Sequence, residues 1–184
     1  MLKNDLLQAA PALIRGDIAV IPTDTIYGII ARASNPVAVQ KIYDVKQRNP
    51  SKPFIILIDS IDDLQPFGIE LTPAINNLLA NYWPGPVSII LDCPDPKFEY
   101  LHRGTDTLAF RLPKNEAIRE LVRTTGPLVA PSANPEALPP AANIEEAKAY
   151  FGDQIACYVS GPVNTNPSKI IRITGDGSEE IIRA

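Results

Sequence analysis

The sequence predicts an α/β fold in a single domain spanning residues 1–184, a mixed parallel and antiparallel sheet with flanking helices. Three observations predict it. Short β-branched runs alternate with helical periodicities along the whole chain. Some neighbouring strand runs are joined by connections too short for a helical crossover, which argues against a regular doubly wound sheet. The 184 residues suffice to bury one core, and no linker, repeat or charge block divides them.

The elements follow in order. Residues 5–15 place Leu6, Leu7, Ala10, Leu13 and Ile14 at helical spacing, with Gly16 as a stop. "IAVIP" (18–22) and "IYGII" (26–30) are short β-type runs around a polar turn. In "NPVAVQKIYDVK" (35–46), Asn35 is an N-cap and Pro36 takes the first helical position. "FIILI" (54–58) reads as a buried strand and "TPAINNLLANYW" (72–83) as another capped helix. "WPGP" (83–86) is a stop and turn, followed by the strand runs "VSIIL" (87–91) and "LAFRLP" (108–113). "NEAIRELVRTTG" (115–126) is a helix ending in glycine, and "PLVAPS" after it is strand-like. "NIEEAKAYFG" (143–152) carries Asn143 as cap and Glu146 three residues later, in the manner of a capping box. The runs "IACYVS" (155–160), "KIIRIT" (169–174) and "EEIIRA" (179–184) close the chain.

Composition narrows the class. An apolar fraction of 45% and a charged fraction of 21% are those of an ordinary globular protein. A net charge of −4 gives no general affinity for a polyanion, so any such ligand must be met by a local cluster. Nineteen prolines, scattered beside apolar runs, imply stiff connections rather than disorder. Cys93 and Cys157 stand alone, as reduced thiols of a cytosolic protein do. The N-terminus is too polar for a signal segment and no run of 18 apolar residues occurs, so a cytoplasmic protein without membrane contact is expected.

The chemistry is defined first by what is missing. No GxxxxGK[ST] and no GxGxxG after a strand are present. The sole histidine, His102, lies in "LHRGTD" and is expected on a solvated loop, which argues against a His-rich metal site and makes a Ser-His-Asp triad a poor fit. Three clusters remain. "PTDTIYG" (22–28) concentrates Thr23, Asp24, Thr25 and Tyr27 in one turn, where the hydroxyls either satisfy their own backbone or line a site. "KQRNPSKP" (46–53) offers Lys46, Arg48 and Lys52 at a helix C-terminus, either as solvated cations answering the dipole or as an anion clamp. "APSANP" (130–135) supplies small residues with Ser132 and Asn134, either a cap or a close approach to a ligand. Arg111 inside the apolar "LAFRLP" run must face water, a carboxylate or an anionic ligand, because an unpaired buried charge costs several kcal/mol. Cations and small donors with hardly a general base suit phosphoryl or nucleotidyl transfer, in which positioning and charge neutralisation do most of the work.

The succession "PTDTIYG", "KQR", "WPGP", "FRLP", "PSAN", "NPSKI" resembles the YrdC-like family of threonylcarbamoyl-AMP synthases, from about residue 10 to the C-terminus. The likeness is greatest to the short bacterial TsaC form, which consists of the catalytic domain. The resemblance implies a twisted mixed sheet with a concave basic groove. It implies an enzyme combining L-threonine, bicarbonate and ATP with Mg2+ into L-threonylcarbamoyladenylate and pyrophosphate. A tRNA threonylcarbamoyl-transferase complex would act downstream. By the same resemblance Lys46, Arg48 and Lys52 clamp the ATP phosphates, the first two carrying catalysis. Thr107, Ser132, Asn134 and Arg183 bind ATP; Thr25, Tyr27, Arg111, Ala130 and Ser168 bind threonine, Arg111 through its carboxylate. The sequence departs from the longer relatives at Leu57, Pro140 and Lys169. A rival expectation is a YciO-like RNA-binding protein without synthase activity, making a weak contact with RNA through the same groove.

Overall fold

The computed structural model describes residues 5–164, 166–175 and 177–184. Among these described residues, nine strands form one mixed sheet: β1 (Ala19–Pro22), β2 (Tyr27–Arg32), β3 (Ile55–Leu57), β4 (Val87–Asp92), β5 (Thr107–Arg111), β6 (Leu128–Val129), β7 (Cys157–Tyr158), β8 (Lys169–Ile173) and β9 (Glu179–Arg183). Their spatial order is β7-β1-β2-β6-β3-β5-β4-β8-β9. Parallel pairs (β1/β7, β3/β5, β4/β8) are interleaved with antiparallel ones, as the short connections require. Six α-helices accompany them: α1 (Ala10–Arg15), α2 (Pro36–Lys46), α3 (Pro73–Tyr82), α4 (Glu99–His102), α5 (Glu116–Thr125) and α6 (Ile144–Phe151).

The caps expected from the sequence form. Asn35 Oδ1 accepts from Val37 N and Ala38 N at 3.1 Å, Thr72 Oγ1 from Ile75 N, and Asn143 Oδ1 from Glu146 N at 2.9 Å. The helix expected over 5–15 is instead a 3-10 turn (Leu6–Ala9) leading into α1. Pro11 sits in the first α-helical turn, where its missing N–H costs nothing. The strand expected from "PLVAPS" shortens to β6, although Gly28 still bridges Ser132. His102 corrects its expectation: it is 3% exposed, and its Nδ1 accepts from Gly104 N at 3.1 Å, so α4 packs it inward rather than leaving it on a solvated loop.

Alternation along the strands divides the core between the two sheet faces. Ile29 and Ile56 join one cluster with Val39, Ile42 and Phe110. Ile30 and Leu57 point the other way, into a cluster with Leu13, Leu121 and Leu128 from α1, α5 and β6. That second cover stops short. Ile55, paired with Ala109, and Ala109, paired with Ile90, lie on the same face as Leu57 and Arg111 yet stay half-buried. Most of the residues expected to form a site gather where the helical cover ends.

Candidate active site

A cavity of about 300 Å3 opens on this uncovered part of the sheet, at the lower end of the range for small-molecule sites. The polar turn forms its floor. Thr23 Oγ1 donates to Ile26 O at 2.6 Å and lies 3.0 Å from Thr25 Oγ1. Because the Thr23 hydrogen is committed to Ile26, Thr25 donates to Thr23, and the free lone pairs of Thr25 Oγ1 are left for a ligand's donor. Tyr27 walls the floor with its ring, its hydroxyl donating to Gly161 O at 2.6 Å. A Cβ on Gly28 would stand 3.1 Å from Thr23 Cγ2, crowding the turn.

Arg111, at the end of β5, is 4% exposed and lines the cavity. Its Nη2 lies 3.1 Å from Oδ1 of Asp24, itself 11% exposed. The alignment is not that of a hydrogen bond: Arg111 Nε and both Asp24 oxygens lack hydrogen-bond partners among the described residues. Burial pulls the Arg111 pKa below the ordinary arginine value, opposed by Asp24 and assisted by Arg183. Burial likewise raises the Asp24 pKa against the pull of Arg111. The strand arginine thus has a carboxylate partner and also contributes to the cavity wall. Arg183, from β9, reaches the same cavity and grips Ser168 O through Nε (3.0 Å) and Nη2 (2.6 Å). Ser168, also in the lining, meets Ser88 Oγ at 2.9 Å.

The three cations of "KQRNPSK" part company. Lys46 is the last residue of α2 and 1% exposed. Its ammonium donates to the backbone oxygens of Ser132 and Asn134 and lies 3.4 Å from Asn134 Oδ1. It is tucked beneath the 132–134 loop rather than lining the cavity. Burial, with Arg48 adding to it and Glu136 opposing, lowers the Lys46 pKa to about 7. Gln47 then takes a left-handed conformation (φ 49°), ending the helix and sending the chain toward the cavity. Arg48 is the one of the three that lines it. Its guanidinium lies 5.4 Å from the Phe54 ring centroid; Phe54 stacks on Tyr43 at 4.1 Å, and Arg103 covers the other face of Tyr43 at 4.0 Å. This four-tier stack steadies Arg48, whose Nε also faces Lys52 O at 3.4 Å. Lys52 turns to Glu136 instead.

Of the remaining expected residues, Ala130 and Ser132 line the cavity. Asn134 turns its amide inward, donating to Pro135 O and Leu138 O. Thr107 lies outside the lining, bonded to Thr105, but shares the cavity face of β5 with Ala109 and Arg111. Four residues of strand put it about 13 Å from Arg111 along the sheet. Sequence reasoning missed Glu136 and the partnership of Asp24 with Arg111. The one signal for Glu136 is that it is the only acid between Glu120 and Glu145.

Among the described residues, the cavity lining holds three arginines, an acceptor hydroxyl and no carboxylate, a composition suited to anionic groups. The chain belongs to the Sua5/YciO/YrdC family, whose model, described as "Telomere recombination", matches residues 11–184. It is 34% identical over 158 residues to the threonylcarbamoyl-AMP synthase of Bacillus subtilis (strain 168), an alignment covering 85% of this chain and 46% of that protein. A protein of the same name from Vibrio parahaemolyticus is 30% identical over 168 residues, covering 89% of this chain and 91% of its own. This chain therefore spans about half the length of the former and nearly all of the latter. Among solved structures, Pyrococcus abyssi Sua5 complexed with L-threonine superposes with a TM-score of 0.85 at 28% identity, over 94% of this chain and 52% of that one. Among the described residues, no helix is long and apolar enough to cross a membrane.

Proposed function

We propose that this protein is a threonylcarbamoyl-AMP synthase, making L-threonylcarbamoyladenylate and pyrophosphate from L-threonine, bicarbonate and ATP for tRNA modification. The observation that carries the reading is Arg111, a buried guanidinium in the wall of a cavity that also holds an acceptor hydroxyl on Thr25. A carboxylate on the first and an ammonium on the second describe an α-amino acid. The names of the relatives support the same reading.

In this mechanism Arg111 takes the threonine carboxylate, Thr25 and the backbone of Ala130 take the amino group, and Tyr27 and Ser168 bound the side chain. The ammonium gives up a proton to solvent water, and its nitrogen attacks bicarbonate with loss of water, leaving an N-carboxy anion. That carboxylate attacks the α-phosphorus of ATP while the bond to pyrophosphate breaks in line and the leaving group keeps the electron pair. Arg48, Arg183 and Lys52 neutralise the growing phosphate charge, and Ser132 and Asn134 shape the nucleotide side. Thr107 marks where the nucleotide runs out along β5. Mg2+ enters on the phosphates as part of the substrate; among the described residues the cavity lining supplies no carboxylate for it. Lys46 acts from beneath by holding the 132–134 loop. The reaction takes place in the cytoplasm, and a tRNA threonylcarbamoyl-transferase complex consumes the product.

The test is pyrophosphate release from ATP and bicarbonate with threonine, with serine and with no amino acid. Release that depends on threonine is expected, and equal release in all three would refute the reading. Replacing Arg48 by alanine removes a charge-assisted phosphate contact worth about 1.5–3 kcal/mol. The expected loss in kcat/KM for ATP is roughly 10- to 150-fold. Wild-type values for Arg48→Ala at subsaturating ATP would take the arginine out of the clamp.

A further inference from the structure

The acid that joins the two loops bounding the cavity has no part in the chemistry above. Glu136 follows the Ser132–Asn134 segment and reaches across to the loop after α2, where its carboxylate pairs with Lys52 Nζ and accepts from Asn49 N at 2.6 Å. Its own N–H donates to Lys46 O at 2.9 Å, so the backbone on both sides is anchored. Lys52 directly precedes Pro53 and Phe54 in the cavity lining, and its carbonyl faces Arg48 Nε at 3.4 Å. Its flexible stem starts at the rim, yet its ammonium is held outside. The pair is solvent-accessible, with side-chain exposures of 54% for Lys52 and 29% for Glu136, so exchanging one anion for another needs no burial or unfolding. The hydrogen bond from Lys52, then that from the Asn49 amide, holds Glu136 below the usual carboxylate range, with the charges of Lys52 and Arg48 adding to it, so it stays an anion at neutral pH.

We propose that Glu136 is a specificity residue of the phosphate subsite, an internal competitor that a ligand's phosphates must displace before Lys52 joins Arg48. The inference rests on the synthase reading for the identity of the ligand but not for the competition itself. A carboxylate carries one charge, whereas the terminal phosphates of a triphosphate carry several in a compact group. Lys52 therefore exchanges readily to a polyphosphate and poorly to a monoanion. When pyrophosphate leaves, Glu136 recaptures the lysine and lowers the affinity of the site for its own product.

Glu136→Gln isolates the charge, because the glutamine oxygen still accepts from Asn49 N and preserves the loop. Binding of inorganic tripolyphosphate, measured by calorimetry at fixed ionic strength, is compared in wild type, Glu136→Gln, Lys52→Ala and the double variant. Releasing an exposed ion pair changes an affinity by severalfold at most. Glu136→Gln should therefore bind about three- to sixfold more tightly. The double variant should bind as weakly as Lys52→Ala. Unchanged or weaker binding by Glu136→Gln overturns the proposal, and so does an equal gain in the Lys52→Ala background, since Glu136 would then act through the general field. Absence of tripolyphosphate binding in all four proteins overturns it too. The expected pattern without threonine-dependent pyrophosphate release upholds the competition and rejects the synthase reading; turnover with no gain in Glu136→Gln does the reverse.

Discussion

Replacing Arg111 by methionine is expected to destabilise the fold by about 3–5 kcal/mol at pH 8, because it strands the Asp24 carboxylate. Asp24 is 11% exposed and Arg111 is its ion-pair partner, at 3.1 Å. Methionine fills much of the arginine stem, so the lost charge outweighs the lost packing. Asp24 has a way out, since burial already raises its pKa and Arg111 is the group holding it down. Without Arg111 the pKa rises further and the carboxyl takes up a proton in the folded state before it does so in the unfolded chain. A group of this kind stabilises the fold at low pH and loses that contribution as pH rises toward its folded pKa. The deficit of Arg111→Met against wild type should therefore be smaller at pH 5 than at pH 8. Adding Asp24→Asn should recover at least half of the loss at pH 8, because no charge is then stranded. Urea midpoints of the three proteins at both pH values decide the matter. A pH-independent deficit that Asp24→Asn leaves unaltered would mean that Arg111 contributes packing and not charge. Activity gives a second readout: KM for threonine should rise far more than KM for ATP, since the removed guanidinium faces the amino-acid carboxylate in the proposed mechanism.

What could be read from the chain without coordinates was largely local or periodic. Asn35, Thr72 and Asn143 announce their helices because a cap acts within three residues. The mixed sheet was legible because connection length limits strand direction. Arg111 announced a site because a charge in an apolar strand must be answered somewhere. What answered it was not legible: Asp24 lies 87 residues earlier in the chain, and no spacing rule links a turn after β1 to the end of β5. Likewise, "KQR" reads as a run of cations, but the helix ends between its two charged residues. The left-handed Gln47 sends Lys46 into the protein and Arg48 to the cavity, a division set by tertiary packing. His102 was misplaced for a related reason: tertiary packing buries its ring, with Nδ1 accepting from Gly104 N and Nε2 left without a partner among the described residues.

Lys46→Met is expected to cost about 100-fold in kcat/KM for ATP while changing stability at pH 7 by no more than about 2 kcal/mol. The two magnitudes differ because opposing terms nearly cancel in the fold and do not cancel in the site. Methionine leaves the Asn134 carbonyl without a donor and the Ser132 carbonyl with only the Asn134 N–H at 3.0 Å, at about 1–3 kcal/mol for each lost bond. It also removes a buried ammonium whose pKa has fallen from 10.5 to about 7, a penalty of about 5 kcal/mol when protonated. The loop keeps its place in the fold but loses the anchor that orients Ser132 toward the cavity. The penalty is present in full below pH 7 and is relieved between about pH 7 and 10.5, where the unfolded chain still binds a proton that the folded protein has released. Wild-type stability should accordingly rise relative to Lys46→Met by about 2 kcal/mol between pH 7 and pH 9. Losing the proton does not unhook the loop, because a neutral amine still carries two N–H donors for the two carbonyls. Binding of ATP by the wild type should therefore survive the titration that changes its stability. Denaturant midpoints for both proteins at pH 7 and 9, with ATP affinity measured on the same samples, separate the two effects. A stability difference that stays constant over this range would place the Lys46 titration outside it. Wild-type kcat/KM in Lys46→Met would show that Ser132 needs no support from below.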